Sequence, residues 1–196
     1  MPLSPDPLPR CTERVTLRRL NAGDLRAFQA YRLDPLVGQY QGWSPMSDDE
    51  ALSFLNDMNA AAALAPGEWF QIGIADRLSN TLIGDIGVCV SGDTREAEIG
   101  FTLGRSHQGQ GLAGEAVRAA IALIFDATDV QRVFAVTDAR NGRARKLVLS
   151  LGMTQVRTQE SVFRGETATE HTFALTRERH KPRTPEAVPR LGDDST

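Results

Sequence analysis

Arg105-Ser-His-Gln-Gly-Gln-Gly-Leu-Ala-Gly114 decides how this chain is read. It follows Glu96-Ala-Glu-Ile-Gly-Phe-Thr-Leu-Gly104, which reads as a strand. After it comes a long helical pattern to about residue 127, with Ala113, Val117, Ala120, Ile121 and Ile124 on one side. Glycines let a backbone approach a ligand closely, and the first turn of a helix leaves N–H groups unpaired. Those donors, with the positive end of the helix dipole, suit a phosphate or pyrophosphate. The same glycines also suit a tight strand-to-helix turn, and it is the order strand, loop, long helix that favours anion binding.

Two families of anion loop are set aside. A nucleotide P-loop needs a Gly-Lys pair, and none follows here. A dinucleotide loop needs G-x-G-x-x-G, which Gly109, Gly111 and Gly114 supply, with an acidic residue after the next strand. Asp138, 24 residues past Gly114 and just beyond Val133-Phe-Ala-Val136, would serve. That fold, however, starts with this unit and continues through further β–α repeats. Here three strands precede it, and little foldable chain remains after Asp138.

Working toward the N-terminus, residues 68–76, 81–91 and 96–104 predict an antiparallel meander with short links. Ser47-Asp-Asp-Glu50 is a capping box, opening a helix with Leu52, Leu55, Met58 and Ala62 on one side. Val37-Gly-Gln-Tyr-Gln-Gly-Trp-Ser-Pro45 is a loop. Before it, Asn21 caps a helix bearing Leu25, Phe28 and Tyr31, which ends before Pro35. Val15–Leu20 alternates as a strand. Toward the C-terminus, Asn141–Leu151 predicts a helix with Ala144, Leu147, Val148 and Leu151 on one face and Gly152 as its stop. Strands at about 153–158 and 168–175 close an α/β domain over 12–176. Residues 1–11 (with Pro2, Pro5, Pro7 and Pro9) and 177–196 (with Pro182, Pro185 and Pro189) read as flexible tails, the second charged in near balance.

Gln108-Gly-Gln-Gly-Leu-Ala113 matches Q/R-x-x-G-x-G/A, the acetyl-CoA loop of the GNAT superfamily of N-acetyltransferases. Glu98-Ile-Gly-Phe-Thr-Leu103 resembles that family's E-I-G-Y-x-L strand. Asn141 with Leu151-Gly-Met153 resembles its N-x-x-S…L-G-F helix. Thr12–Leu20 and Leu82-Ile-Gly-Asp-Ile-Gly87 resemble the branch that acetylates ribosomal-protein N-termini. Each motif alone is weak, but all stand in the family's order over residues 12–176. The resemblance implies the GNAT fold: a mixed, mostly antiparallel central sheet with a β-α-β acetyl-CoA-binding core flanked by helices.

It also implies a site. Backbone N–H groups of Gly109, Gln110, Gly111, Leu112, Ala113 and Gly114, after Gln108, would hold the pyrophosphate. Phe101, Thr102 and Leu103 would pair with the pantetheine arm where their strand splays from the next, with Gly100 placed for a bulge. Asn141 would contact the arm or cap its helix. Arg143, Arg145 and Lys146 are near enough to meet the 3′-phosphate, although solvated helix charges explain them as well. Glu98 is the first candidate for the base that takes a proton from the amine, and Asp138 the second. The family's usual proton donors fall at Ala144 and Val148, which have no proton to give. Tyr31, Tyr40 and Trp43, with Gln41, Phe163 and Arg164, are candidates to line the acceptor site.

The chain has 196 residues with net charge −3, 41% hydrophobic and 24% charged. These values suit a soluble globular domain and give no basic footprint for nucleic acid. No apolar run approaches a membrane span, and the first residues have no signal-peptide core. Cys11 and Cys89 cannot form a disulfide framework, so a cytoplasmic location is expected. His107, His171 and His180 lack ligand spacing, so no metal is implied. The expected function is transfer of acetyl from acetyl-CoA to a primary amine, on a protein N-terminus or a small molecule. Direct attack in a ternary complex is the mechanism, because no cysteine lies beside the loop to carry the acetyl group. The resemblance also allows a homodimer. A non-catalytic acyl-CoA-binding protein and a NAD(P)-dependent oxidoreductase are the alternatives.

Overall fold

A computed structural model describes residues 6–180. Its eight strands are β1 (Arg10–Cys11), β2 (Val15–Arg19), β3 (Trp69–Asp76), β4 (Leu82–Val90), β5 (Glu96–Leu103), β6 (Arg132–Asp138), β7 (Thr154–Phe163) and β8 (Glu166–Thr176). The helices are α1 (Leu25–Arg32), α2 (Asp48–Ala60), α3 (Leu112–Ala127), α4 (Gly142–Ser150) and the short α5 (Arg177–His180). One sheet runs in the order β1-β2-β3-β4-β5-β6-β8-β7. Only β5 and β6 are parallel, joined through α3; all other neighbours are antiparallel. A doubly wound parallel sheet is thereby excluded, and the dinucleotide alternative with it.

The β5–β6 pairing is short. It covers Glu96↔Arg132, Ala97↔Val133 and Glu98↔Phe134 and then stops, although β5 continues to Leu103 and β6 to Asp138. The sheet opens there like a V. On its other side β5 stays in unbroken register with β4, from Ala97↔Val90 to Leu103↔Gly84. Gly100 therefore makes no bulge against β4, contrary to expectation.

Two apolar clusters clamp the sheet. The larger holds Leu17, Ile72, Ile86 and Ile99 against Val117, Ile121 and Ile124 of α3 and Val148 of α4. Full burial of such a side chain contributes about 1.5–3 kcal/mol. The smaller gathers Leu20, Phe28, Tyr31, Ala51, Leu55 and Leu82 under α1 and α2. The caps follow the sequence: Ser47 and Glu50 satisfy each other's backbone donors at α2, and Asn21 with Asp24 at the turn before α1. Ala62 lies beyond α2 and is exposed; Ala51 and Leu55 are the residues α2 buries.

The tails depart from expectation in their described parts. Leu8 is buried in the larger cluster, Asp6 pairs with Arg19 at 2.6 Å, and Arg10–Cys11 extend the sheet beside β2. Arg177 is equally integral. Its guanidinium donates to the carbonyls of Phe125, Thr128 and Val130 at 2.6, 2.6 and 2.9 Å, closing the C-terminal end of α3. A cation there also meets the negative end of the helix dipole. The rest of each expected tail, residues 1–5 and 181–196, lies outside the described residues.

Candidate active site

The glycine loop adopts the form its sequence demands. Gly109 and Gly111 both have left-handed backbone, φ +78° and +80°, and Gly111 is the N-cap of α3. The first bond of that helix runs from the Glu115 N–H to the Gly111 carbonyl, so the N–H groups of Leu112, Ala113 and Gly114 precede the ladder. Side chains fix the loop from behind. Arg14 donates to the Gln110 carbonyl at 2.9 Å and pairs with Glu115 at 2.8 Å, and Gln110 donates to the Ser106 carbonyl at 3.0 Å.

The loop borders a cavity of about 970 Å³, which follows the free end of β5 at Phe101–Leu103 across to the β6–α4 turn; Glu98 and Asp138 are not in its lining. Phe101, Thr102, Leu103, Gln108, Gly109, Gly111, Leu112, Ala113, Gly114 and Asn141 all line it, so the cofactor residues expected from sequence converge on one cleft. Gln110 is the exception, its side chain turned back on the loop. Gln108 bridges the walls, donating to the Leu103 carbonyl at 2.9 Å and accepting from Arg143 at 2.9 Å. Asn141 caps α4, accepting from the Ala144 N–H at 3.1 Å. Arg143 and Lys146 face the cavity; Arg145 turns away toward the Ala139 carbonyl.

Glu98 sits at the last β5–β6 pair, at the head of the V. It is on the face of β5 opposite Ala97 and Ile99, which are buried in the cluster with α3. Burial raises its proton affinity above the ordinary carboxylate range, and Glu170 of β8 raises it further. Asp138 lies across the V in another state. It accepts three bonds from Arg140, at 2.7, 2.8 and 3.0 Å, and that partner holds its carboxyl below the usual range. It serves the β6–α4 turn and is a poor proton acceptor.

Cys89 is the cross-strand neighbour of Glu98, a proximity that sequence distance concealed. Burial, then the charges of Glu98 and Glu68, push its thiol pKa up, which keeps it protonated and weakly nucleophilic.

The expected acceptor residues separate. Tyr40 lines the cavity, with the Arg140 guanidinium 6.0 Å from its ring centre. Tyr31 does not: it is buried, and its hydroxyl donates to Asp85 at 2.6 Å. Asp85 also pairs with the buried Arg32 at 2.8 Å. Trp43 packs its ring 4.7 Å from that guanidinium and against Gly38, so it props the loop from beneath. Gln41 reaches the cleft and donates to the Phe101 carbonyl at 3.2 Å. Arg164, at the β7–β8 turn, donates to the Gly38 carbonyl at 3.0 Å. Ala144 lines the cavity and Val148 is buried in the core, so neither family donor position holds a proton.

Anion donors on a helix start, a strand edge left free by its neighbour and a cleft between them fit a long ligand with a pyrophosphate and an amide-bearing arm. Comparison with known proteins agrees. Residues 14–154 match the acetyltransferase (GNAT) domain family. The N-acetyltransferase p20 of Bacillus licheniformis is 30% identical over 145 residues, 71% of this chain and 79% of that protein. Among solved structures, RimL, a ribosomal L7/L12 alpha-N-protein acetyltransferase in complex with coenzyme A, superposes with TM-score 0.76. It is 16% identical over 87% of this chain and 98% of its own. Spermidine N-acetyltransferase from Vibrio cholerae, in complex with CoA and spermine, has TM-score 0.74 and 20% identity over 86% and 99%. The chain belongs to the GNAT acetyltransferase family. It is an acyltransferase that uses acetyl-CoA as its cosubstrate.

Proposed function

We propose that the chain moves the acetyl group to a primary amine by direct attack in a ternary complex, with Glu98 as the base. The observation that carries this reading is the place of Glu98: a half-buried carboxylate of raised proton affinity where β5 and β6 part. A raised pKa brings a carboxylate nearer to the operating pH and makes it a more effective proton acceptor. Acetyl-CoA supplies an activated thioester. The N–H groups of residues 109–114 would bind its pyrophosphate, and the edge of Phe101–Leu103 would align its arm. A strand N–H on that edge would polarise the thioester oxygen. The protonated Cys89 favours direct attack over an acetylated cysteine.

Glu98 and Glu170 give the acceptor face a negative character that suits an ammonium group. Both acceptor types named for the structural neighbours, a protein N-terminus and a polyamine, satisfy that chemistry. Ala144 and Val148 offer no proton to the departing thiolate, so it leaves as the anion or takes a proton from water. Release of free CoA with an N-terminal Ala or Ser peptide and with spermidine tests the reading and separates the two acceptor types. Activity with either amine, lost in Glu98→Gln while acetyl-CoA still raises the melting temperature, supports Glu98 as the base. Undiminished thiol release in Glu98→Gln overturns it.

A further inference from the structure

Gly38–Tyr40 form a short 3-10 turn on the connection between α1 and α2. That turn and Gln41 are tied to both sides of the V. Gln41 donates its side-chain amide to the Phe101 carbonyl on β5 at 3.2 Å. Arg164 comes from the far side, donating to the Gly38 carbonyl at 3.0 Å and the Gln41 carbonyl at 3.4 Å. Tyr40, between them, lies beside Arg140 of the β6–α4 turn. The segment thus spans the opening, and Tyr40 and Gln41 line the cleft.

Two details give this bridge a meaning. Phe101 is beyond the last β5–β6 pair, and its carbonyl is satisfied by a side chain rather than a strand. An amide-bearing arm that adds to this edge needs that carbonyl. Arg164 occupies the first position of a two-residue hairpin turn, with φ +53° before Gly165 at +83°, where Asn or Gly is favoured. Its guanidinium passes 5.2 Å from the ring centre of Phe163 and reaches the loop on the other side of the cleft.

We propose that Gly38–Gln41 is a latch across the V, in which Gln41 yields the Phe101 carbonyl to the arm of acetyl-CoA while Arg164 is the positioning residue that keeps the segment in place. The proposal rests on the placement of the cofactor arm given above. Calorimetric titration with acetyl-CoA and with adenosine 3′,5′-diphosphate, which lacks the arm, tests it. Gln41→Ala should bind acetyl-CoA several-fold more tightly and the diphosphate unchanged, because only the arm must displace the amide. Equal or weaker acetyl-CoA binding, or an equal gain for both ligands, overturns the exchange. In hydrogen exchange on the free protein, Arg164→Asn should keep the β7–β8 hairpin protected while residues 36–43 exchange at least tenfold faster, and Arg164→Lys should restore part of that protection. Unchanged protection at 36–43 overturns the role of Arg164. Failure of the cofactor placement itself reads differently: Gly111→Ala would then leave the affinity of both ligands untouched.

Discussion

A carboxylate half removed from water, with a second carboxylate nearby, holds its proton to higher pH than one in solvent. For Glu98 that sets both activity and stability. As the proposed base it would work only when deprotonated, so the acidic limb of kcat/KM should lie above the ordinary carboxylate range. Glu170→Gln should shift that limb downward, and Glu98→Gln should lower kcat by about 10²–10⁴-fold and remove the limb. The stability sign is opposite. A raised folded-state pKa contributes stability that is present below the unfolded pKa and lost as pH rises through the folded one. Glu98→Gln should therefore melt at or above the parent temperature at pH 7, with the difference closing near pH 4, as calorimetry at the two pH values would show.

Asp85 is a buried carboxylate whose partners are already in place. Arg32 and Tyr31 are buried with it, and burial, followed by the charge of Asp85, raises the Tyr31 phenol well above its usual value. Asp85→Ala would strand a buried guanidinium at a cost of about 3–5 kcal/mol. Tyr31→Phe should cost nearer the ~1 kcal/mol of one hydrogen bond. Urea unfolding of the two variants distinguishes them.

At the scale of elements, α3 and its glycine start are where local chemistry and position coincide. Gly111→Ala places a Cβ on backbone with φ +80°, 3.4 Å from an Arg14 nitrogen. The left-handed conformation alone should cost roughly 1–2 kcal/mol, and acetyl-CoA affinity should fall as the loop shifts. Ser47→Ala removes a cap of similar local worth, about 1 kcal/mol, but from a helix whose start has no place in the cleft. Its melting temperature should drop with acetyl-CoA affinity intact.

The cleft beside the glycine loop was legible in the sequence because its determinants are consecutive: glycines at the turn, a strand before, an apolar helix after. The acceptor side was not. Tyr31 and Tyr40 look alike in sequence, and only packing sends one to Asp85 and the other to the cavity. One available signal was Asp85 itself, an isolated charge in the apolar run Leu82–Val90 that needed a buried partner. β7 and β8 run longer than their apolar pattern suggested, because most of β7 is exposed on both faces and carries no alternation. β1 was missed because two residues after Pro9 have no period to read. Cys89 and Glu98 were brought together by register, which no local pattern encodes.

Across the whole molecule, the domain extends beyond the strands that define it. Arg177 holds the end of α3 to the end of β8 through three carbonyls. Charged hydrogen bonds each contribute about 1.5–3 kcal/mol, so Arg177→Ala should lower the urea midpoint clearly. Arg177→Lys should recover only part, since an ammonium cannot reproduce the fork.

The short β5–β6 pairing has a mechanical consequence. With three rungs between them, β1–β5 and β6–β8 resemble two boards joined by a brief hinge line, and α3 is the brace across it. The softest collective motion should be a rocking of one board against the other. A molecule seated along β5 acts as a wedge that damps this rocking. Such damping would be felt at the hairpin tip, far from the phosphates.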